Sequence, residues 1–443
     1  MKDTNEIKQA EIIKNLGYAL LLFLPTLYWG NENYFLLLPL ALLVFNWKDI
    51  FLRLTSKEWY KQRMTLMLLI AGYMSFSLIN KLMFGLPMSC ARDYYASFFL
   101  FPLLLLIATE LKNMKFALYY ILLIVVEVIF CFMEYIYGTR SFFMGDFPPI
   151  DFSSDFIYDY RVFGLSVNSS VVSFKILAAL LLLETCKLKN KYYYAIISVL
   201  FIGAIITFNR ALILAILFFY ILSLIKAAWL YKLQPRKILV ASVPLASFFV
   251  VFHLFTNHNI LTELQKNKSE KNRLEVAVIR INPTAASTLS CSSVHQPKML
   301  VGNELDTNAF FTKLLINKTS TVNNTSGRTL IWANYIQFID ENLWFGNGSD
   351  KLYFRERDPK TGSQKLVHAH NSFLEILGTN GILLTLVFLG ITFLLWKRKN
   401  LIFLLTLLFF SIFQYGIFWG ISTLDVVWMI FLLSPLQLYH ERS

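Results

Sequence analysis

Apolar blocks long enough to cross a bilayer recur along this chain, joined by short and strongly basic connections. Roughly 30 Å of hydrocarbon takes about 20 residues of helix. A backbone inside lipid must also satisfy its own hydrogen bonds, which leaves helices or closed barrels. The alternating pattern of a barrel strand is missing, so the spans are expected to be helices. The composition agrees: 56% hydrophobic residues against 16% charged lies outside the soluble globular range.

About twelve spans are predicted. They lie near residues 15 to 29, 34 to 47, 64 to 82, 94 to 110, 116 to 136, 168 to 185, 192 to 208, 211 to 229, 238 to 255, 372 to 396, 401 to 420 and 424 to 440. The expected fold class is an all-α polytopic membrane protein with one large outer loop that contains an amphipathic helix. The chain then divides into an N-terminal transmembrane bundle of about nine helices over residues 1 to 255, a loop over 256 to 371, and about three C-terminal helices over 372 to 443.

A net charge of +13 suggests a polyanionic partner, but its placement argues against nucleic acid. Lys48, Arg53, Lys57, Lys61 and Arg63 share one connection, Lys112 and Lys115 another, and Lys187, Lys189 and Lys191 a third. Lys232, Arg236 and Lys237 fill a fourth and Lys397, Arg398 and Lys399 a fifth. With the N-terminus inside, the span count makes all of these cytoplasmic, as the positive-inside rule requires. Both termini are then cytoplasmic, the first span is expected to be a retained anchor, and residues 83 to 93, 137 to 167 and 256 to 371 face outward. The remaining charges are read as clustering at that outer face. Cys90 and Cys291 fall on the outer side too, where a disulfide is chemically permitted.

In the outer loop, residues 256 to 326 are rich in Asn, Thr, Ser and Lys and show little periodicity. Beyond them Ile331, Trp332, Tyr335, Ile336 and Ile339 recur at three- and four-residue steps, which predicts an amphipathic helix ending near Asn342. A turn at Phe345-Gly346-Asn347-Gly348 and a polar hairpin with Arg355, Arg357 and Lys360 follow.

The hairpin leads to Val367-His368-Ala369-His370-Asn371-Ser372, at the entry to a new apolar helix. Two of the six histidines in the chain stand here. Their spacing of two does not suit paired metal ligands on a helix, and no third ligand is close, so no metal is expected. A neutral imidazole at an aqueous edge titrates near ambient pH, which suits proton abstraction from a hydroxyl. Helix-entry residues bonded to loop backbone are the plainer alternative. Glu375, one turn past Asn371, is placed to orient a histidine.

Arginine forms the second constellation. Arg210 lies where two spans meet on the outer side, Arg328 opens the loop helix, Arg92 precedes the fourth span, and Arg161 sits in Tyr160-Arg161-Val162-Phe163-Gly164 before the sixth. Guanidinium groups grip phosphate oxygens bidentately and keep their charge at every relevant pH. Taken singly, each also reads as a snorkelling or structural arginine. Asp146, Asp151, Asp155 and Asp159 stud an outer loop and are weaker candidates. The sequence contains no Walker loop, Rossmann fingerprint or metal-holding DxD pair, which disfavours chemistry driven by cytoplasmic nucleotides.

The pattern resembles the O-antigen ligase and polymerase superfamily of bacterial envelope glycosyltransferases. The resemblance rests on the layout of spans and late loop, and on Thr207-Phe208-Asn209-Arg210-Ala211, Gly327-Arg328 with Trp332, Gly346-Asn347-Gly348, and His368-Ala369-His370-Asn371 with Leu374 and Gly381. It implies a metal-independent, inverting transfer at the periplasmic face of the inner membrane, with no cofactor. An undecaprenyl-diphosphate-linked glycan is the implied donor, and lipid A-core or a lipid-linked repeat unit the implied acceptor. Carried onto this chain, Arg210 and Arg328 would hold the diphosphate, with Arg92 and Arg161 beside them. His370 would be the base with His368 as its neighbour, and Asn371, Glu375 and Trp332 would support. Two features depart from the simplest pattern: the loop from about Lys266 to Asn324 is long, and Asn209 stands where a small hydroxyl residue is common.

The ligase, with lipid A-core as acceptor, is the leading expectation, and the repeat-unit polymerase its runner-up. A polysaccharide flippase or transporter would also have about twelve spans, but would usually show two similar halves and charges within several spans. No half-to-half similarity is visible here. An inert scaffold of an assembly complex is the third reading, and it would have no use for His370.

Overall fold

The protein is described by a computed structural model over residues 2–27, 55–84, 116–139, 161–231 apart from 167, 185 and 187, then 343–346, 354–357, 364–367, 370–395 and 401–414, with isolated positions between. Numbering only the elements within those residues, α1 is Lys2–Phe23, α2 Lys57–Phe84, α3 Phe116–Tyr137, α4 Ser169–Leu183, α5 Asn190–Ile206, α6 Arg210–Tyr231, α7 Ser372–Leu395 and α8 Leu401–Ser411. Strands β1 (Phe354–Arg357) and β2 (Gln364–Val367) form an antiparallel hairpin in which Phe354 faces Val367. The described residues are thus mostly helical, as the sequence predicts. The spans predicted near 34 to 47, 94 to 110, 238 to 255 and 424 to 440 lie chiefly or wholly outside the described residues, as do Cys90 and Cys291.

Helix ends follow local chemistry. Pro25, which cannot donate a backbone bond, sits in a short 3-10 turn, Leu24–Thr26, that ends α1 earlier than the span predicted to residue 29. Gly138, at φ 69°, ends α3 by returning its N–H to the Glu134 carbonyl at 2.9 Å. Helix α8 stops at Ser411 rather than running to residue 420: Ile412 and Phe413 donate to carbonyls three residues back and Gln414 leaves the helix.

Helix α3 is central, packing against α1, α4 and α5, while α6 packs on α8 and α7 on α2. Gly203 lets α5 approach α3, since a Cβ there would stand 2.7 Å from Val128. Phe218 and Phe409 stack at 4.5 Å between α6 and α8.

Helix α3 buries both of its acidic residues within an otherwise largely apolar packed face and exposes apolar side chains on the other. Its buried face carries Tyr120, Glu127, Cys131 and Glu134, while Leu122, Val126, Ile129, Phe132 and Ile136 form an exposed apolar stripe. Such a stripe is what a bilayer covers, and ionisable groups in a membrane helix face the bundle interior. Among the described residues, α3 is long and apolar enough to cross a membrane by itself, and Ser169–Leu183, Asn190–Ile206 and Leu401–Ser411 are shorter apolar helices.

Candidate active site

Three helices that open toward one end of the bundle begin in the same way. Asn168 caps α4 by accepting from the Val171 N–H at 3.0 Å. Asn209 caps α6 by accepting from Ala211 at 3.0 Å and Leu212 at 3.3 Å. Asn371 caps α7 by accepting from Phe373 at 3.0 Å and Leu374 at 3.2 Å. Asparagine is among the best N-caps because its carboxamide oxygen takes orphan N–H groups of the first turn. Each such start also presents the positive end of a helix dipole.

Two of these starts share a rarer feature. Phe208 precedes Asn209 at φ 49° and His370 precedes Asn371 at φ 50°; among the described residues, no other non-glycine has positive φ. Left-handed backbone is uncommon for such side chains and gathers at functional sites. The same sharp entry therefore sets up both Arg210 and His370.

Gln414 joins the two starts. Its side chain donates to Asn209 Oδ1 at 3.5 Å, the long end of a hydrogen bond, and its carbonyl accepts from Ser372 Oγ at 2.8 Å. The early end of α8 is what frees Gln414 to reach both. The ring of Tyr135, at the end of α3, lies 6.4 Å from that of Phe208. Its neighbour Glu134 accepts from the Phe163 and Gly164 N–H groups at 2.8 Å each. The structure thus brings the Arg161 turn and the Arg210 and His370 helix starts to one end of the bundle. Arg210 itself is exposed, His370 half-buried, and Arg161, Asn371 and Glu375 buried.

Arg92, His368 and Arg328 lie outside the described residues. Trp332, Ile336, Ile339 and Asp340 are helical, with Ile339 buried, Trp332 and Ile336 half-buried and Asp340 exposed. The amphipathic reading of this stretch has that sidedness.

Helix α7 breaks at Gly381, where φ is 71°. The turn after the loop helix fills the break: Ile382 N donates to the Leu343 carbonyl at 2.8 Å and Leu383 N to that of Trp344 at 3.4 Å. The loop is thereby anchored to the helix whose start carries His370.

The reading that charges cluster at the outer face is incomplete, because among the described residues Lys175, Glu127 and Glu134 are buried within helices. Lys175 of α4 and Glu127 of α3 pair at 2.6 Å, both side chains at 0% exposure. Lys175 also donates to Thr26 at 2.9 Å and lies 4.5 Å from the Phe23 ring, and Glu127 accepts from Ser166 Oγ at 2.6 Å. With Glu134, these groups staple the end of α1 and the 161–166 turn onto α3. Gly164 fits this staple at φ 59°, where a Cβ would stand 2.6 Å from Cys131 Sγ. The signal was visible in the sequence, since a Lys or Glu within an apolar block is expensive unless paired.

Residues 194–389 match the family model described as O-antigen ligase. A search of curated proteins found no match. The matched segment begins in α5, contains Arg210, Arg328, Trp332 and His370, and ends within α7.

Proposed function

We propose that this chain, whose residues 194–389 match the O-antigen ligase family model, is a membrane glycosyltransferase of that superfamily and transfers a lipid-linked O-antigen glycan at the periplasmic face of the bacterial inner membrane. The donor is glycan on undecaprenyl diphosphate and the preferred acceptor is lipid A-core, which makes the protein an O-antigen ligase. One observation carries the reading most directly: Gln414 ties the α6 start, which bears Arg210, to the α7 start, which bears His370.

In the proposed reaction the acceptor hydroxyl oxygen attacks the anomeric carbon as the bond from that carbon to the diphosphate oxygen breaks. His370 takes the hydroxyl proton, acting as general base. The electron pair leaves with undecaprenyl diphosphate, whose charge Arg210 stabilises, joined by Arg328, Arg92 and Arg161. Guanidinium groups and helix N-termini aimed at the leaving group supply the electrostatic stabilisation that a metal supplies elsewhere. Asn371, Glu375 and Trp332 support this arrangement, and a membrane-embedded site suits a donor and an acceptor that are both held in the bilayer leaflet.

Deleting the gene and resolving envelope lipopolysaccharide on a gel tests the assignment. A ligase leaves bare core with no attached chain. A core bearing a single repeat would instead assign the polymerase reaction of the same superfamily, and unchanged chains would remove both. Accumulation of the lipid-linked repeat on the cytoplasmic side would point to a flippase.

A further inference from the structure

The capped start of α6 leaves one strong donor without an acceptor. Asn209 is 2% exposed, and its Oδ1 receives the Ala211 and Leu212 N–H groups and the Gln414 side-chain amide. Three donors converging on one atom identify it as the carboxamide oxygen, so the other branch of the planar group is the NH2. Among the described residues, that buried Nδ2 has no hydrogen-bond acceptor.

A buried polar group without a partner is disfavoured by about the worth of a lost hydrogen bond, and native structures keep few of them. Rotating the group would not relieve it, because the capping oxygen would then turn away from two helix N–H groups. Its hydrogen-bond neighbours, the first-turn N–H groups of α6 and the Gln414 side-chain amide, act as donors. An anionic acceptor would complete the group, and both helix starts favour one electrostatically.

We propose that Asn209 is a further substrate-binding residue, its oxygen committed to the α6 cap and to Gln414 and its Nδ2–H groups donating to an anionic oxygen of the lipid diphosphate. The proposal rests on the diphosphate reading given under Proposed function. It assigns a divided role to one carboxamide: the oxygen fixes the helix start and the nitrogen holds substrate. Gln414 is then a positioning residue, since it orients Asn209 while holding Ser372 beside the histidine.

The test is binding of undecaprenyl diphosphate to the full-length protein in lipid nanodiscs, for wild type, Asn209→Asp, Asn209→Ser and Arg210→Ala, with thermal unfolding of each. Asp and Ser both cap helices well, so either variant retains the α6 start while removing the NH2. The expected result is an unfolding temperature close to wild type with affinity weakened at least about tenfold, more in the Asp variant, whose charge repels the ligand. Wild-type affinity in either Asn209 variant overturns the proposal and leaves Asn209 a cap alone. Unfolding of both variants at the binding temperature overturns it equally, because it assigns the residue to stability. The Arg210→Ala arm separates the two claims: if it binds normally the diphosphate reading itself fails, whereas if it loses binding while the Asn209 variants keep theirs, only the present inference fails.

Discussion

Gly381 lies directly against the backbone of Gly346: a Cβ on Gly381 would stand 2.5 Å from the Gly346 nitrogen and closer still to the Trp344 carbonyl oxygen. Both glycines have positive φ, 71° and 69°. Two positions far apart in sequence are therefore one structural feature, the point where the turn after the loop helix enters the break in α7.

Gly381→Ala is expected to disrupt that join. The left-handed backbone penalises any side chain, and the clash is with main chain, which cannot rotate away. The cost should be on the order of 3 kcal/mol, seen as a lower unfolding temperature in detergent and reduced accumulation. An Ala variant melting with wild type would show that the turn does not dock as described.

His370 has a backbone demand and a proposed chemical role, and they can be separated. Asparagine tolerates left-handed backbone better than most residues, so His370→Asn should fold, insert and accumulate like wild type. It has no imidazole to accept a proton, and polysaccharide attachment is expected to fall by about 10²-fold or more; His370→Ala should lose it as well. Wild-type glycan display by the Asn variant would take the histidine out of the mechanism.

Arg210 is exposed at the first position of α6, so replacing it should leave the fold intact. Arg210→Lys retains the charge but loses the bidentate fork, and a severe drop in glycan attachment with normal protein levels is expected. An unimpaired Lys variant would mark the arginine as a snorkelling helix end.

Lys175→Met removes one member of a fully buried ion pair and strands Glu127. Loss of about 3 to 5 kcal/mol is expected from the single change. Converting Glu127 to Gln in the same protein should restore a large part, because the uncompensated charge is gone. Thermal unfolding of the two single variants and the double variant measures the coupling; additive losses would mean that the pair does not interact.

Much of the helix order was legible in the sequence because apolar block length and the basic connections are local signals. The helices α3, α5, α6 and α7 fall within a few residues of spans predicted from composition alone. Asn209 shows the limit. In sequence it reads as a departure from a resembled pattern, and its role as the α6 cap depends on where its oxygen points. Lys175, Glu127 and Glu134 were visible as ionisable residues within apolar blocks, but a pairing 48 residues apart along the chain leaves no spacing signature. The early end of α8 carried no proline or glycine to announce it.

Local signals in the sequence predict a helical chain with alternating basic and apolar segments, a late loop with an amphipathic helix, and a small set of arginines and histidines whose chemistry suits a diphosphate and a hydroxyl proton. Periodicity and charge suffice for these because each is set within a few residues. No local signal announces that the starts of α6 and α7 meet through Gln414, that Gly381 receives the loop's turn, or that buried charges hold the Arg161 turn against α3. Those features come from contacts between residues tens to hundreds of positions apart, where packing and the need to satisfy buried polar groups choose the partner.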